Sequence, residues 1–259
     1  MDITLESKIK RHLQNSSFAS VTAENYMFRS PQGEKLHSLG KTNRVLQEAI
    51  HTIIFDLDGT LSDSAILTLA SLEQIAPAHG LPVPSMKDIR KATGNANPEF
   101  YYILYPDYPR DMVYGIGQEI EHDEPRVLSL ARDKLLFKGC RELLVSLKSN
   151  GIRLNIASTG DRNHVFSILE ETGIIGFFDE VSCHRPDKYE MLKEMIKGDT
   201  AGYIMVGDMK KDYEAAAKNG IVSVGACFGY CVREHSDFDI YIDEPLDLLQ
   251  VLNLTGAKN

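Results

Sequence analysis

An α/β fold with a doubly wound parallel sheet is the architecture this sequence predicts, and three observations predict it. Short apolar runs that end in Asp, Ser, Thr or Gly recur from Thr52 towards the C-terminus. Segments with helical apolar spacing separate these runs, so strand and helix alternate. The runs are apolar at successive positions, which suits strands covered on both faces. Together these features describe a parallel sheet with helices packed on either side.

Each element can be justified in turn. Thr52-Ile53-Ile54-Phe55 is a short apolar run closed by Asp56 and Gly59, the first strand. Cys140–Ser149 carries Leu143, Leu144 and Leu147 on one helical stripe, and Asn150-Gly151 stops it. Ile152–Thr159 reads as the second strand, Val165–Glu171 as a helix and Phe177–Cys183 as a short third strand. Tyr189–Ile196 is a helix with apolar Met191, Leu192 and Met195, followed by Tyr203–Asp208 as the fourth strand. A helix over Tyr213–Asn219, closed by Gly220, leads to a fifth strand at Ile221–Ala226. Asp239–Ile242 makes a sixth strand and Leu246–Leu252 a final helix.

Residues 64–135 break this rhythm. They read as helices over Ala65–His79, Met86–Ala92, Pro98–Leu104 and Arg110–Arg132, the last interrupted near Asp123–Pro125. An insertion directly after the first strand has both ends at that strand's carboxyl edge, where open parallel sheets bind ligands. The expected organisation is therefore a core of residues 49–63 and 136–259, a helical cap of residues 64–135, and an N-terminal extension of residues 1–48. The extension holds seven Lys and Arg against five Asp and Glu, with one weak stripe at Leu5, Ile9 and Leu13. It reads as an appendage that does no chemistry and offers a docking element for some partner.

Composition narrows the function. With 43% hydrophobic and 25% charged residues, collagen-like, low-complexity and wholly disordered classes are excluded. The net charge of -9 argues against nucleic acid as a partner. It also means that an anionic substrate needs a local positive centre. No apolar run approaches the ~20 residues of a membrane span, and charges occupy the N-terminal stretch where a signal peptide needs an apolar segment. A cytoplasmic protein is expected. Four cysteines are too few for a disulfide scaffold and read as reduced thiols.

The acidic residues fall at strand ends. Asp56 and Asp58 lie at the tip of the first strand, Asp208 ends the fourth, and Asp212 follows just inside the next helix. Each piece alone also reads as an ordinary turn or strand exit. Gathered at one sheet edge, four carboxylates require a cation, or a proton held at large cost. Oxygen ligands of this kind suit Mg2+, which prefers carboxylates together with substrate phosphate.

These residues carry a resemblance. Phe55-Asp56-Leu57-Asp58-Gly59-Thr60-Leu61-Ser62-Asp63-Ser64 resembles the first motif of the haloacid dehalogenase-like (HAD) superfamily, and Leu154–Ser158 resembles its second. Gly207-Asp208-Met209-Lys210-Lys211-Asp212 resembles the fourth, and the likeness runs from about His51 to Leu252. It implies a Rossmann-like HAD core and covalent phosphotransfer. Asp56 would be the nucleophile that forms an aspartyl-phosphate, and Asp58 the general acid and base. Mg2+ would be bound by Asp56, Asp208 and the Asp58 backbone carbonyl, with Asp212 in a supporting role. Ser158, Thr159 and Gly160 would hold the phosphoryl group. The third motif departs from the usual Lys-Pro-x-Pro. In Cys183-His184-Arg185-Pro186-Asp187-Lys188 the cation is Arg185 or Lys188, and a compact ammonium favours Lys188. His51, His164 and His184 lie near motifs, but the mechanism needs no histidine, so surface or packing roles are expected for them.

The insertion is similar to the α-helical cap of phosphoglycolate-phosphatase-like members. That resemblance implies Mg2+-dependent hydrolysis of a small phosphorylated metabolite: phosphoglycolate, a sugar phosphate or a nucleotide. A phosphosugar mutase related to β-phosphoglucomutase is an alternative, although the cap segment Lys91–Asn97 lacks an Arg to grip a second phosphate. A non-catalytic binding protein on the same fold is the other.

Overall fold

The computed structural model describes Ser7, Ile9–Arg11, residues 50–230 and residues 237–254. Six strands form one sheet: β1 (Thr52–Phe55), β2 (Arg153–Ala157), β3 (Glu180–Ser182), β4 (Tyr203–Gly207), β5 (Val222–Ala226) and β6 (Ile240–Ile242). Their order is β3-β2-β1-β4-β5-β6 and every pairing is parallel. The doubly wound sheet expected from the sequence is the one observed. Among the described residues from 50 onward, nine α-helices lie between and around the strands: α1 (Ala65–Ala78), α2 (Met86–Ala92), α3 (Glu99–Leu104), α4 (Arg110–Ala131), α5 (Cys140–Ser149), α6 (Arg162–Glu171), α7 (Lys188–Met195), α8 (Lys210–Asn219) and α9 (Asp247–Val251).

The period-2 geometry of the strands sends alternate side chains to opposite faces. Ile53, Phe55, Leu154, Ile156, Ile204 and Val206 pack with Leu143, Leu144 and Leu147 of α5 and Val165, Ile168 and Leu169 of α6. Ile54, Ala157 and Met205 point the other way, onto Met191, Leu192 and Met195 of α7 and Ala215 and Ala216 of α8. This two-sided cover is why β1, β4 and β5 are buried along their whole length.

Helices α1 to α4 enclose a second apolar cluster, including Leu72, Ile89, Tyr101, Val113 and Ile116. The two cores are not separated by a clean break at residues 64 and 135. Ile66, Leu67 and Ala70 of α1, and Val127, Leu128 and Ala131 of α4, pack into the sheet-side cluster. Both long helices therefore run from one core into the other.

One expectation fails here. α4 is continuous over 22 residues and passes through Pro125 without a break. The proline deprives the Glu121 carbonyl of its helical partner. Glu121 sits on an exposed stretch where water can serve that carbonyl, and an Asp123–Arg126 ion pair of 2.7 Å spans the position. Most of the N-terminal extension lies outside the described residues. Within it, Ile9 is helical and buried in the sheet-side cluster.

No helix among the described residues is long and apolar enough to cross a membrane.

Burial makes a direct prediction. Ile204, in β4, is fully buried, whereas Ile103 of α3 is 45% exposed. Ile204→Ala should cost about 2–5 kcal/mol in urea unfolding, and Ile103→Ala should stay within ~0.5 kcal/mol.

Candidate active site

The strand register aligns Phe55 with Ile156 and with Val206. The residues that follow on β1, β2 and β4 consequently emerge together at the carboxyl edge of the sheet. That edge carries Asp56, Ser158 and Asp208.

Carboxylate oxygens of Asp56, Asp208 and Asp212 all come within 4.8 Å of one another, and all three residues are buried. Lys188, the first residue of α7, reaches into this group. Its Nζ lies 2.8 Å from Asp56 Oδ1 and donates to Asp212 Oδ1 at 2.5 Å. Arg185, the rival cation, instead pairs on the surface with Glu194 at 2.6 Å. Asp212 Oδ2 accepts the Met209 N–H at 2.8 Å, which fixes the carboxylate in the first turn of α8. Asp208 accepts the Thr60 hydroxyl at 3.2 Å and the Tyr230 N–H at 2.8 Å.

The turn after β1 must come very close to Asp208. Gly59 has φ +83°, and a Cβ on it would lie 2.5 Å from Asp208 Oδ2. A side chain there would be strained and would push the carboxylate aside. Gly229 is packed against the Gly59 carbonyl and Asp208 in the same way.

Charge is unbalanced in this cluster, with three buried carboxylates facing one ammonium. Burial, with repulsion from Asp212 and Asp58, outweighs the help of Lys188 and pushes Asp56 up to about 7. Burial and the neighbouring Asp56 and Asp212 carry Asp208 well above the usual carboxylate range. Burial alone would lower Lys188, but Asp212 and Asp56 hold it above its ordinary value. An all-oxygen donor set with uncompensated negative charge, beside a cavity, fits a hard divalent cation.

Asp58 does not join this cluster. Its Oδ1 lies 3.0 Å from Nε2 of His164, and the opposite ring nitrogen lies 2.5 Å from Glu124 Oε1 of α4. Despite the cost of burial, His164 holds Asp58 below its ordinary value. Glu124 and Asp58 in turn raise His164 well above its own, against the opposing effect of burial. The sequence reading gave His164 a surface or packing role, and the structure corrects it. No local pattern signals the contact, because Asp58 and Glu124 are 106 and 40 residues away in the chain. His51 does pack, edge-on to Tyr203, and His184 lies on the surface beside Asp161.

Ser158 is 1% exposed. Its Oγ accepts the Gly160 N–H at 3.1 Å, so that amide is engaged within the loop. The Thr159 hydroxyl donates to the Gly94 carbonyl of the helical segment at 3.3 Å. Asp56, Asp58, Ser158, Thr159 and Gly160 all line one cavity of about 190 Å³, whose far wall is built from residues 93–101 and 121–125.

A parallel sheet, a helical segment over its carboxyl edge and an acidic centre beneath a cavity together define a class of hydrolase. The model described as haloacid dehalogenase-like hydrolase matches residues 53–226, more than half of the chain. The chain belongs to the haloacid dehalogenase-like hydrolase family. A phosphoglycolate phosphatase from Synechococcus elongatus is 27% identical over 219 residues, spanning 78% of this chain and 97% of its own length. Among solved structures, a predicted phosphoglycolate phosphatase from Haemophilus somnus matches with TM-score 0.69 and 23% identity, over 79% of this chain and 99% of that one. A β-phosphoglucomutase from Clostridium difficile matches with TM-score 0.63 and 18% identity, over 79% and 97%. At these identities the two structures establish the fold.

The electrostatics predict how stability depends on pH without added metal. Asp56 has a raised value when folded, so the folded state binds more protons than the unfolded state between about 4 and 7. Stability then falls as pH rises through that window. His164 acts in the same direction, its contribution being full below pH 6.5 and lost as pH rises through its raised folded value. Urea midpoints measured from pH 5 to 8 should decline, and millimolar Mg2+ should flatten the decline.

Proposed function

We propose that this protein is a Mg2+-dependent phosphatase that hydrolyses a small-molecule phosphomonoester through an aspartyl-phosphate on Asp56. The observation that carries the reading is Lys188, buried between Asp56 and Asp212, with Asp56 in turn lining the cavity. It holds the Asp56 carboxylate in one orientation and offsets part of its charge.

Asp56, Asp208 and the backbone carbonyl of Asp58 would hold the metal, and Asp212 would keep Lys188 in place. When bound, Mg2+ would neutralise the negative charge that otherwise repels an incoming phosphate. One Asp56 oxygen attacks phosphorus in line with the ester oxygen. The P–O bond to the alcohol breaks, and Asp58 donates its proton to the departing oxygen. Asp58 is held ionised by His164; the arriving phosphate dianion raises its proton affinity, and it takes the proton it later donates from solvent water. In the second half, Asp58 takes a proton from water, which attacks phosphorus and releases phosphate with Asp56 restored. Ser158, Thr159 and Gly160 of the loop after β2 would position the phosphoryl oxygens, and Lys188 would stabilise their charge.

The helical segment of residues 64–135 acts as a cap that encloses the leaving group. A lid favours small, freely diffusing substrates. The mutase alternative needs a cationic grip for a second phosphate, and among the described residues no Lys or Arg lines the cavity. Arg90, the nearest candidate in sequence, donates to Asp63 at 2.6 Å and lies over the Tyr230 ring.

Phosphate release from p-nitrophenyl phosphate should require Mg2+. Asp56→Asn should lose it by at least ~1000-fold, with no phosphoryl adduct in the mass spectrum of the quenched protein. Lys188→Met should lose a comparable factor, while Arg185→Ala should stay within about threefold of the parent. Retained thermal unfolding of each variant separates loss of chemistry from loss of fold. Activity of Asp56→Asn at the parental level would overturn the covalent mechanism.

A further inference from the structure

We propose that the alcohol released from the substrate carries no negative charge: it is a neutral polyol or an amino alcohol, not a hydroxy acid such as glycolate. This inference rests on the phosphatase reading above and adds the class of leaving group.

The argument starts from the charges around the cavity away from Asp56. Glu121 and Glu124 of α4 line it, and so does Asp161. The only basic side chain on its wall is His164, among the described residues. Both ring nitrogens of His164 are occupied, one by Asp58 at 3.0 Å and the other by Glu124 at 2.5 Å. A carboxylate on the leaving group would therefore meet acidic side chains with no free cation to pair with. Taking an unpaired charge into such a site is strongly unfavourable.

The hydrogen-bonding capacity of the same wall is an independent observation, and it points the same way. The Thr93 hydroxyl donates to the Ile89 carbonyl at 3.0 Å. Asn95 Nδ2 donates to the Ala92 carbonyl at 2.7 Å, and Asn97 Nδ2 donates to Glu121 Oε1 at 2.6 Å. Thr159 donates to Gly94. One N–H of each amide and both of these hydroxyls are engaged within the protein, while Thr68, Asn163 and Ser167 add hydroxyl and amide groups that can donate or accept. The acceptors of this wall, its amide oxygens and ionised carboxylates, can receive the hydroxyl or ammonium donors of such a ligand, whereas a carboxylate ligand has no donor to offer them. Glu121 senses this acidic surrounding: burial first, then Asp161 and Glu124, raise it above the ordinary carboxylate value, although the Asn97 bond works against them.

Glu121 is the position at which the wall's charge can be changed with least risk to folding, since it sits on the exposed side of α4. The test is kcat/KM, with Mg2+, for four esters: p-nitrophenyl phosphate, glycerol 1-phosphate, O-phosphoethanolamine and 2-phosphoglycolate. The better of glycerol 1-phosphate and O-phosphoethanolamine should exceed 2-phosphoglycolate by at least tenfold. Glu121→Lys should shrink that ratio by at least fivefold. A ratio below tenfold in the parent, or a ratio unmoved in the variant, overturns the inference while leaving the phosphatase reading intact. No turnover of any ester, p-nitrophenyl phosphate included, overturns the phosphatase reading and this inference with it.

Discussion

A single ammonium group buried among carboxylates is the constraint on which the catalytic edge depends. Lys188 contacts Asp56 at the end of β1 and Asp212 at the start of α8, while Asp208 at the end of β4 stands beside both. Removing one partner from such a group leaves a buried charge uncompensated, which is far costlier than the pair is stabilising. The geometry around it is correspondingly tight. Gly207 lies against the Asp212 side chain, and Gly59 against Asp208, with no room for a Cβ at either place. The sheet register brings the strand ends level, the glycines let them close in, and Lys188 sets the orientation of the carboxylates.

A second set of contacts ties the helical segment to the same edge. Glu124 of α4 reaches His164 and, through it, Asp58. The Gly94 carbonyl receives both the Thr159 hydroxyl and the Lys211 ammonium, the latter at 2.7 Å. Tyr230 donates its hydroxyl to Asp63 and its backbone N–H to Asp208, and Arg90 of α2 also holds Asp63. These contacts are polar and partly exposed, unlike the apolar packing inside either core. They are the kind of contact that can break and reform, and each ends within a residue or two of the strand-end motifs. Through His164, Glu124 of the helical segment contributes to fixing the position of Asp58.

How much of this was legible in the sequence follows from the range of each interaction. The strands are short apolar runs with helices between them, so local pattern suffices for the sheet and for the strand-end placement of Asp56, Ser158 and Asp208. Sequence favours Lys188 over Arg185 on the chemistry of a compact ammonium, but no local pattern decides between them. The choice depends on which side of the α7 start faces the sheet, and that is set by packing of Met191 and Leu192 against Ile54 and Ala157. The His164 contact was not legible, because it joins groups 40 and 106 residues apart and neither belongs to a strand-end motif shared with His164. Nor was the continuity of α4, where Pro125 suggested a break. A proline forbids one hydrogen bond, but helices that already bury Val113, Ile116, Ile120, Val127 and Leu128 gain more from packing than that bond supplies.

The two ends of the site are also built from different material. In the proposed reaction the phosphoryl end is made from strand tips, so the placement of its residues is fixed by the sheet. The leaving-group end is made from α4 and residues 93–101, whose side chains can vary without disturbing the sheet. Similarity along the core thus carries the chemistry at phosphorus much further than it carries the identity of the alcohol. Here the wall holds Glu121, Glu124 and Asp161, with its one histidine already held on both sides. Kinship in the sheet and difference in the wall are compatible, because no residue has to serve both ends except Asp58, which His164 and Glu124 connect to the helical segment.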